Sequence, residues 1–196
     1  MESKYIVNVN REGNIAPIGN FRKEGVIGPR AQAQVCYVKD EGLKITLTCF
    51  EKDPYAIRTE MNGAVCCDSC LEAFIDCQPE TGKGYFNLEV NSLGVVHCAF
   101  GAGRHDRVFL CDLGLPHPVA EVRKTDEYWT YTVMMPLSTL EALYGCDCHF
   151  APGHKMKGNF YKCIEDGSAP HWAAWAPVSR LDFHCPHEFG TLVIEE

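Results

Sequence analysis

Four stretches of this chain alternate apolar and polar residues one by one. A period of two suits a strand and not a helix, whose apolar positions recur every three to four residues. Leu43, Ile45, Leu47 and Cys49 alternate with Lys44, Thr46 and Thr48. Leu71, Ala73, Ile75 and Cys77 alternate with Glu72, Phe74 and Asp76. Phe86, Leu88 and Val90 alternate with Asn87, Glu89 and Asn91, and Trp129, Tyr131, Val133 and Met135 with Thr130 and Thr132. Further strand-like runs lie at 5–9, 33–38, 95–100 and 191–194.

Turn chemistry separates the runs. Residues 79–84, with Pro79, Gly82 and Gly84, read as a hairpin loop between two long strands. Residues 92–94 form a shorter turn, and 101–107 and 114–118 are loops. Only residues 137–144 look helical, with Ser138 and Glu141 spaced as a capping box and Gly145 as the stop. No internal repeat, low-complexity tract or linker interrupts the 196 residues. A chain of that length buries enough surface to fold without a disulfide or a metal. The expected fold is all-β, an antiparallel β-sandwich of jelly-roll type with one or two short helices. It forms a single domain over 1–196, in which 1–29 supply an N-terminal strand and loop. Residues 151–186 are rich in aromatics, histidine and proline without a sustained period, so they read as functional loops or a cover over one sheet.

The net charge of -8 argues against nucleic acid and anionic membrane surfaces as partners. No apolar run approaches the ~20 residues that span a bilayer. The first residues are too polar for a signal peptide, so a cytoplasmic location is expected. Twelve cysteines then read as free thiols in a reducing compartment. Cys66, Cys67 and Cys70 could pair with Cys146 and Cys148 around zinc, or Cys66 and Cys67 end one strand and Cys70 opens the next as small buried hydrophobes. His184, Cys185, Pro186, His187 and Glu188 match no zinc-hydrolase motif, and Pro186 forbids the helix such a motif needs.

Two groups of residues suit ligand binding. Asn87, Glu89 and Asn91 share one face of their strand, and Glu72 and Asp76 one face of the strand before it. A hairpin merges the two into a polar stripe, able to hydrogen-bond sugar hydroxyls on a concave sheet face, or an ordinary solvated face. Trp172 and Trp175, flanked by Pro170 and Pro177, offer flat apolar surfaces for a pyranose ring, or plugs for the core. Glu72 and Glu89 could instead form the carboxylate pair of a glycoside-active enzyme, although nothing nearby in sequence splits their pKa values.

At these residues the chain resembles the carbohydrate-binding module family 9-like domains, part of a wider DOMON-like group of β-sandwiches. The resemblance rests on D-S-C-L-E at 68–72, Y-F-N-L-E-V-N at 85–91, G-N-F-Y-K at 158–162, W-A-P at 175–177, F-H-C-P at 183–186 and F-G-T-L at 189–192, in order over roughly 30–196. It implies a sugar-binding β-sandwich that takes a mono- or oligosaccharide, is often attached to glycoside hydrolases, and binds calcium in some members. Glu72 falls where the family has a sugar-contacting glutamate, and Asn91 on a polar position of the next strand. Glu89 stands where the family can have arginine. The two tryptophans that clamp the sugar in better-known members are replaced by Val65 and Phe183. By this resemblance the site comprises Glu72, Asn87, Glu89 and Asn91 with Trp172 or Trp175 as platform and His184 nearby, or sugar binding has been lost. No cofactor is otherwise expected, and a glycoside-processing enzyme is the expected protein partner.

Overall fold

The computed structural model describes residues 3–21 and 27–196. Part of the expected N-terminal loop falls on residues 1–2 and 22–26 and lies outside the described residues. Among the described residues fourteen strands follow in chain order. They are β1 Lys4–Val9, β2 Ala16–Ile18, β3 Asn20–Phe21, β4 Arg30–Val38, β5 Gly42–Phe50, β6 Cys70–Asp76 and β7 Tyr85–Asn91. Then come β8 Val96–Gly101, β9 Val108–Phe109, β10 Glu121–Lys124, β11 Trp129–Pro136, β12 Lys155–Ile164, β13 His171–Ala174 and β14 Gly190–Glu195. One α-helix, α1 Leu137–Tyr144, lies between β11 and β12. It is the only α-helix among the described residues, and none there is long and apolar enough to cross a membrane.

The strands run in the order β10-β11-β5-β4-β1-β14-β12-β6-β7-β8-β9, with β13 added to β12. This curled sheet is the expected β-sandwich. Its inner faces enclose one apolar core, to which β5 contributes Leu43, Ile45 and Leu47, β6 contributes Leu71, Ala73 and Ile75, and β11 contributes Trp129, Tyr131 and Val133. The alternation seen in sequence is therefore the in-and-out pattern of core-facing strands. One departure concerns β1, which pairs in parallel with both β14 and β4 and so joins the two layers, while the other ladders of the described residues are antiparallel.

Three local expectations need correction. Ser138 does not cap α1: Pro136 holds the N-cap position without a side-chain bond, and the Leu137 amide donates to the Glu41 carbonyl instead (2.7 Å). Gly145 does end the helix, at φ +63, where a residue without Cβ is favoured. Cys66 and Cys67 end no strand; they sit in a 3-10 turn, Val65–Cys67, while Cys70 does open β6. Within 151–186 lies the ten-residue strand β12, flanked by β14, β6 and β13. From Gly158 to Ile164 every residue of β12 is buried, so both of its faces are covered. A strand covered on both faces has no need to alternate, which is why no period announced it.

The outer face of β12, β6 and β7 is covered by a second apolar cluster. Cys70, Phe74, Tyr85, Tyr161 and Cys163 from the strands meet Val65, Val178, Phe183 and Phe189 from the loops above. The polar stripe is thus no open concave surface but the floor beneath a loop cover.

Candidate functional site

The β6–β7 hairpin forms as the turn at 79–84 requires, and its register pairs Glu72 with Glu89, Phe74 with Asn87 and Cys70 with Asn91. On β8, His97 lies opposite Glu89, and on β12 Tyr161 lies opposite Glu72. Side chains at these positions share a face. The loop cover leaves a cavity of about 340 Å³ over Glu72 and Glu89, within the usual size of small-ligand pockets. Its walls are Trp172 from β13, Phe183 and His184 from the loop before β14, and Arg104 and Arg107 from the β8–β9 loop.

The stripe divides into three roles. Glu72 and Glu89 line the cavity. Asn87 lies beneath it, with its Nδ2 donating to Glu89 Oε1 (2.8 Å) and its buried Oδ1 lacking a partner among the described residues. Asn91 is spent on structure. Its Oδ1 accepts from the Leu93 and Val95 amides, and its Nδ2 donates to Asp68 Oδ2 and to the Arg58 carbonyl. Asp76, on the same face, lies at the far end of β6 by Gln78, whose amide donates to it.

The two tryptophans part company. Trp172 lines the cavity, whereas Trp175 packs on Tyr5 (6.1 Å between centroids) and Phe160 (5.5 Å) at the edge of the main core. They are three residues apart in extended chain, and an odd spacing puts side chains on opposite faces. Gly190 lets the Trp175 ring approach, since a Cβ there would lie 2.6 Å from it. The places where the family resemblance expects clamping tryptophans are apolar cover. Val65 is fully buried, and Phe183 stacks on Tyr161 with centroids 4.0 Å apart while still presenting an edge to the cavity.

Electrostatics set the character of the floor. Burial, then the adjacent charge of Glu89, push the Glu72 carboxyl well above the usual carboxylate range, despite a bond from the Cys163 thiol to its Oε1 (2.9 Å). Arg107 Nη1 lies 3.7 Å from Glu89 Oε1 and is buried without a hydrogen-bond partner among the described residues. Arg104 is tied to Asp182 (2.9 Å), whose carboxylate also accepts from the His184 amide. His184 Nδ1 bonds the Tyr85 hydroxyl (2.8 Å). Burial, then the charges of Arg107 and Arg104, hold His184 down to about 3. The imidazole is therefore neutral at physiological pH.

That depression has a stability consequence. The unfolded chain takes up a proton at His184 near pH 6.5, while the folded chain resists to about 3. The contribution of neutral His184 is thus complete above pH 6.5 and is lost as pH falls toward 3. We expect this to cost on the order of 4–5 kcal/mol at the acid end. Urea unfolding at several pH values should show a steeper loss in wild type than in His184→Gln; parallel pH profiles would contradict it.

Arg104, Arg107, His97, Cys163 and Glu165 were not singled out in sequence. His97 could have been found, because it sits on the face of β8 that the alternation of its neighbours defines. The arginines could not, since they lie in a loop whose path the tertiary fold decides. The proposed cysteine set does not assemble. Cys148 packs beyond the Asp76 end of β6, beside Gln78 (3.9 Å), which places it roughly 25 Å along the strand from Cys70. Cys66 and Cys67 instead sit beside Glu165. His187 is exposed on a 3-10 turn, far from any motif geometry. Every close group of three or more His, Cys, Asp or Glu donors among the described residues contains a thiol or an imidazole.

The site is thus a cavity beneath loops, with a carboxylate-arginine floor and aromatic walls from Trp172 and Phe183. The chain belongs to carbohydrate-binding family 9, whose model matches residues 20–194. Solved structures share the fold. A proposed carbohydrate-binding protein from Bacteroides uniformis is 23% identical with a TM-score of 0.79 and 100% coverage of both chains. A family 9 module from Caldicellulosiruptor kristjanssonii in complex with cellotriose is 12% identical, with TM-score 0.68, over 98% of this chain and 94% of that one. The same organism's module in complex with glucose gives 13%, 0.64, 98% and 96%. No curated protein matches the chain.

Proposed function

We propose that the cavity binds a neutral mono- or oligosaccharide without catalysis. The observation that carries this reading is the floor: two facing glutamates, with a buried Arg107 Nη1 beside them that has no hydrogen-bond partner among the described residues. A buried guanidinium N–H without an acceptor is costly, and a ligand oxygen relieves it. Neighbouring hydroxyls of a sugar are donor and acceptor at once, so they satisfy a carboxylate and a guanidinium together. Trp172 supplies a flat wall for the apolar face of the ring. Arg107 offsets the charge of Glu89, and Arg104 is paired with Asp182. Membership of the family and the sugars held by the two Caldicellulosiruptor modules support the same class of ligand.

The glutamate geometry favours holding over cleaving. Glu72 and Glu89 are direct cross-strand neighbours, with Cβ atoms about 5 Å apart and side chains on one floor. They address one edge of a ligand, whereas glycosidase carboxylates flank the scissile bond. Association with a glycoside-processing enzyme follows from this reading as its physiological setting.

Isothermal titration against glucose, cello-oligosaccharides and other neutral sugars tests the proposal. Trp172→Ala and Arg107→Ala should each weaken binding at least tenfold, about 1.4 kcal/mol. Aryl glycosides should not turn over. Absence of binding across the panel, or affinity untouched by both variants, would refute it, and turnover abolished by Glu72→Gln would replace it with an enzyme.

A further inference from the structure

We propose that Cys70, Cys163 and Glu72 form a site for a zinc-class divalent metal, with its open position facing the cavity. The two sulfurs and a Glu72 carboxylate oxygen lie within 4.8 Å of one another, and all three residues are buried. Ligands around tetrahedral zinc stand roughly 3.4–3.8 Å apart for the usual zinc–sulfur and zinc–oxygen bonds. Adjustments of roughly 1.0–1.4 Å in the widest pair, and an opening of the Cys163–Glu72 contact, would bring the set to this spacing. The backbone already fixes the geometry. Cys163 on β12 is directly opposite Cys70 on β6, and Glu72 lies two residues further along the same face of β6. Sites carried by paired strands in the middle of a sheet hold their donors more rigidly than sites on loops.

Donor chemistry selects the metal. Two thiolates and one carboxylate are a soft-to-borderline set, which suits zinc and not calcium or magnesium. Access and coordination number agree. Cys163 and Glu72 line the cavity while Cys70 stands behind them, so a metal would be held from one side and reached from the other. Three protein ligands with a fourth position open to water or ligand is the arrangement of non-structural zinc sites. On binding, the two S–H bonds break, two metal–sulfur bonds form, and the thiol protons leave to solvent; no electron is transferred. The bond that Cys163 Sγ now makes to Glu72 Oε1 gives way as both atoms turn to the metal. The bound set retains one negative charge, which Arg107 on the cavity wall, shared with Glu89, screens only in part. A neighbouring trio, Cys66, Cys67 and Glu165, is partly exposed and supplies the natural competitor for the ion.

Cobalt(II) titration of the reduced, chelator-treated full chain, without sugar, is the test. We expect a thiolate-to-cobalt absorption band saturating at about one equivalent and bleached by zinc. Cys70→Ser and Cys163→Ser should each weaken cobalt binding at least tenfold, and Cys66→Ser, Cys67→Ser and Cys146→Ser should leave it within twofold. Because the buried variants can disturb folding, alkylation of the wild type mapped by mass spectrometry gives an independent reading. Zinc should slow modification of Cys163 at least tenfold and leave the exposed Cys111 and Cys146 unchanged. No thiolate band, or a band lost only in the Cys66 or Cys67 variant, overturns the assignment, as do equal alkylation rates with and without zinc. Since no sugar enters the experiment, its failure leaves the carbohydrate reading standing, and the reverse holds too.

Discussion

Asp68→Ala should destabilise the protein by about 3 kcal/mol or more, the range for removing one partner of a buried, hydrogen-bonded ion pair. Asp68 is fully buried and accepts bonds from the Ile57 amide (3.2 Å), the Arg58 amide (3.0 Å), Arg58 Nη1 (2.8 Å) and Asn91 Nδ2 (2.9 Å). It ties the loop after β5 to the end of β7. Burial would raise its carboxyl, but the bonds from Arg58 and Asn91 outweigh that and hold it below the usual carboxylate range. Its contribution is therefore present above about pH 3.9 and is lost as pH falls through the lower folded value. Asp68→Asn keeps the shape but puts an N–H where donors already point, so it should fall between the two. Guanidinium unfolding at pH 7 measures the series, and a loss under 1 kcal/mol for the alanine variant would contradict this account.

A second large effect is expected at Lys162, a fully buried lysine on β12. Its Nζ donates to Ser69 Oγ (3.0 Å) and the Cys163 carbonyl (3.0 Å) and lies 3.6 Å from Glu51 Oε1. Glu51 also accepts from Trp129 Nε1 (2.7 Å) and from Ser69. Burial raises the Glu51 carboxyl, but Lys162 first, then the Ser69 and Trp129 bonds, bring it below its usual range. Lys162→Met leaves that carboxylate buried without a counter-charge, and about 3 kcal/mol of stability should go. Adding Glu51→Gln removes the orphaned charge while keeping an acceptor for Trp129. The double variant should then regain about half of the loss. If the two substitutions simply add, the network does not work as a unit.

These two residues show how motif and role can differ. In the D-S-C-L-E segment, Asp68 and Ser69 stitch loops to the sheet and only Glu72 reaches the cavity. The sequence presents all three as one polar motif, because local spacing says which face a side chain takes but not what lies above that face. The same distinction separates Asn91, whose bonds are all internal, from Glu89 two residues earlier. Trp172 and Trp175 stand an odd interval apart in extended chain, which divides them, but β13 is too short to declare itself, so the sequence keeps both as candidates.

What the sequence determined by itself is the alternating strands β5, β6, β7 and β11, the β6–β7 hairpin and the facing of Glu72 on Glu89. Each follows from a period of two and a turn, which are local, and a hairpin register transmits them to the neighbouring strand. Only the tertiary structure decided the rest. It made β12 the covered centre of a layer, laid 176–189 over the stripe, brought Arg107 from a loop to Glu89, and set Cys163 against Cys70. Those are contacts between residues up to about a hundred positions apart. They are set by how the sheet curls and which loops close over it, and no short-range periodicity carries that information.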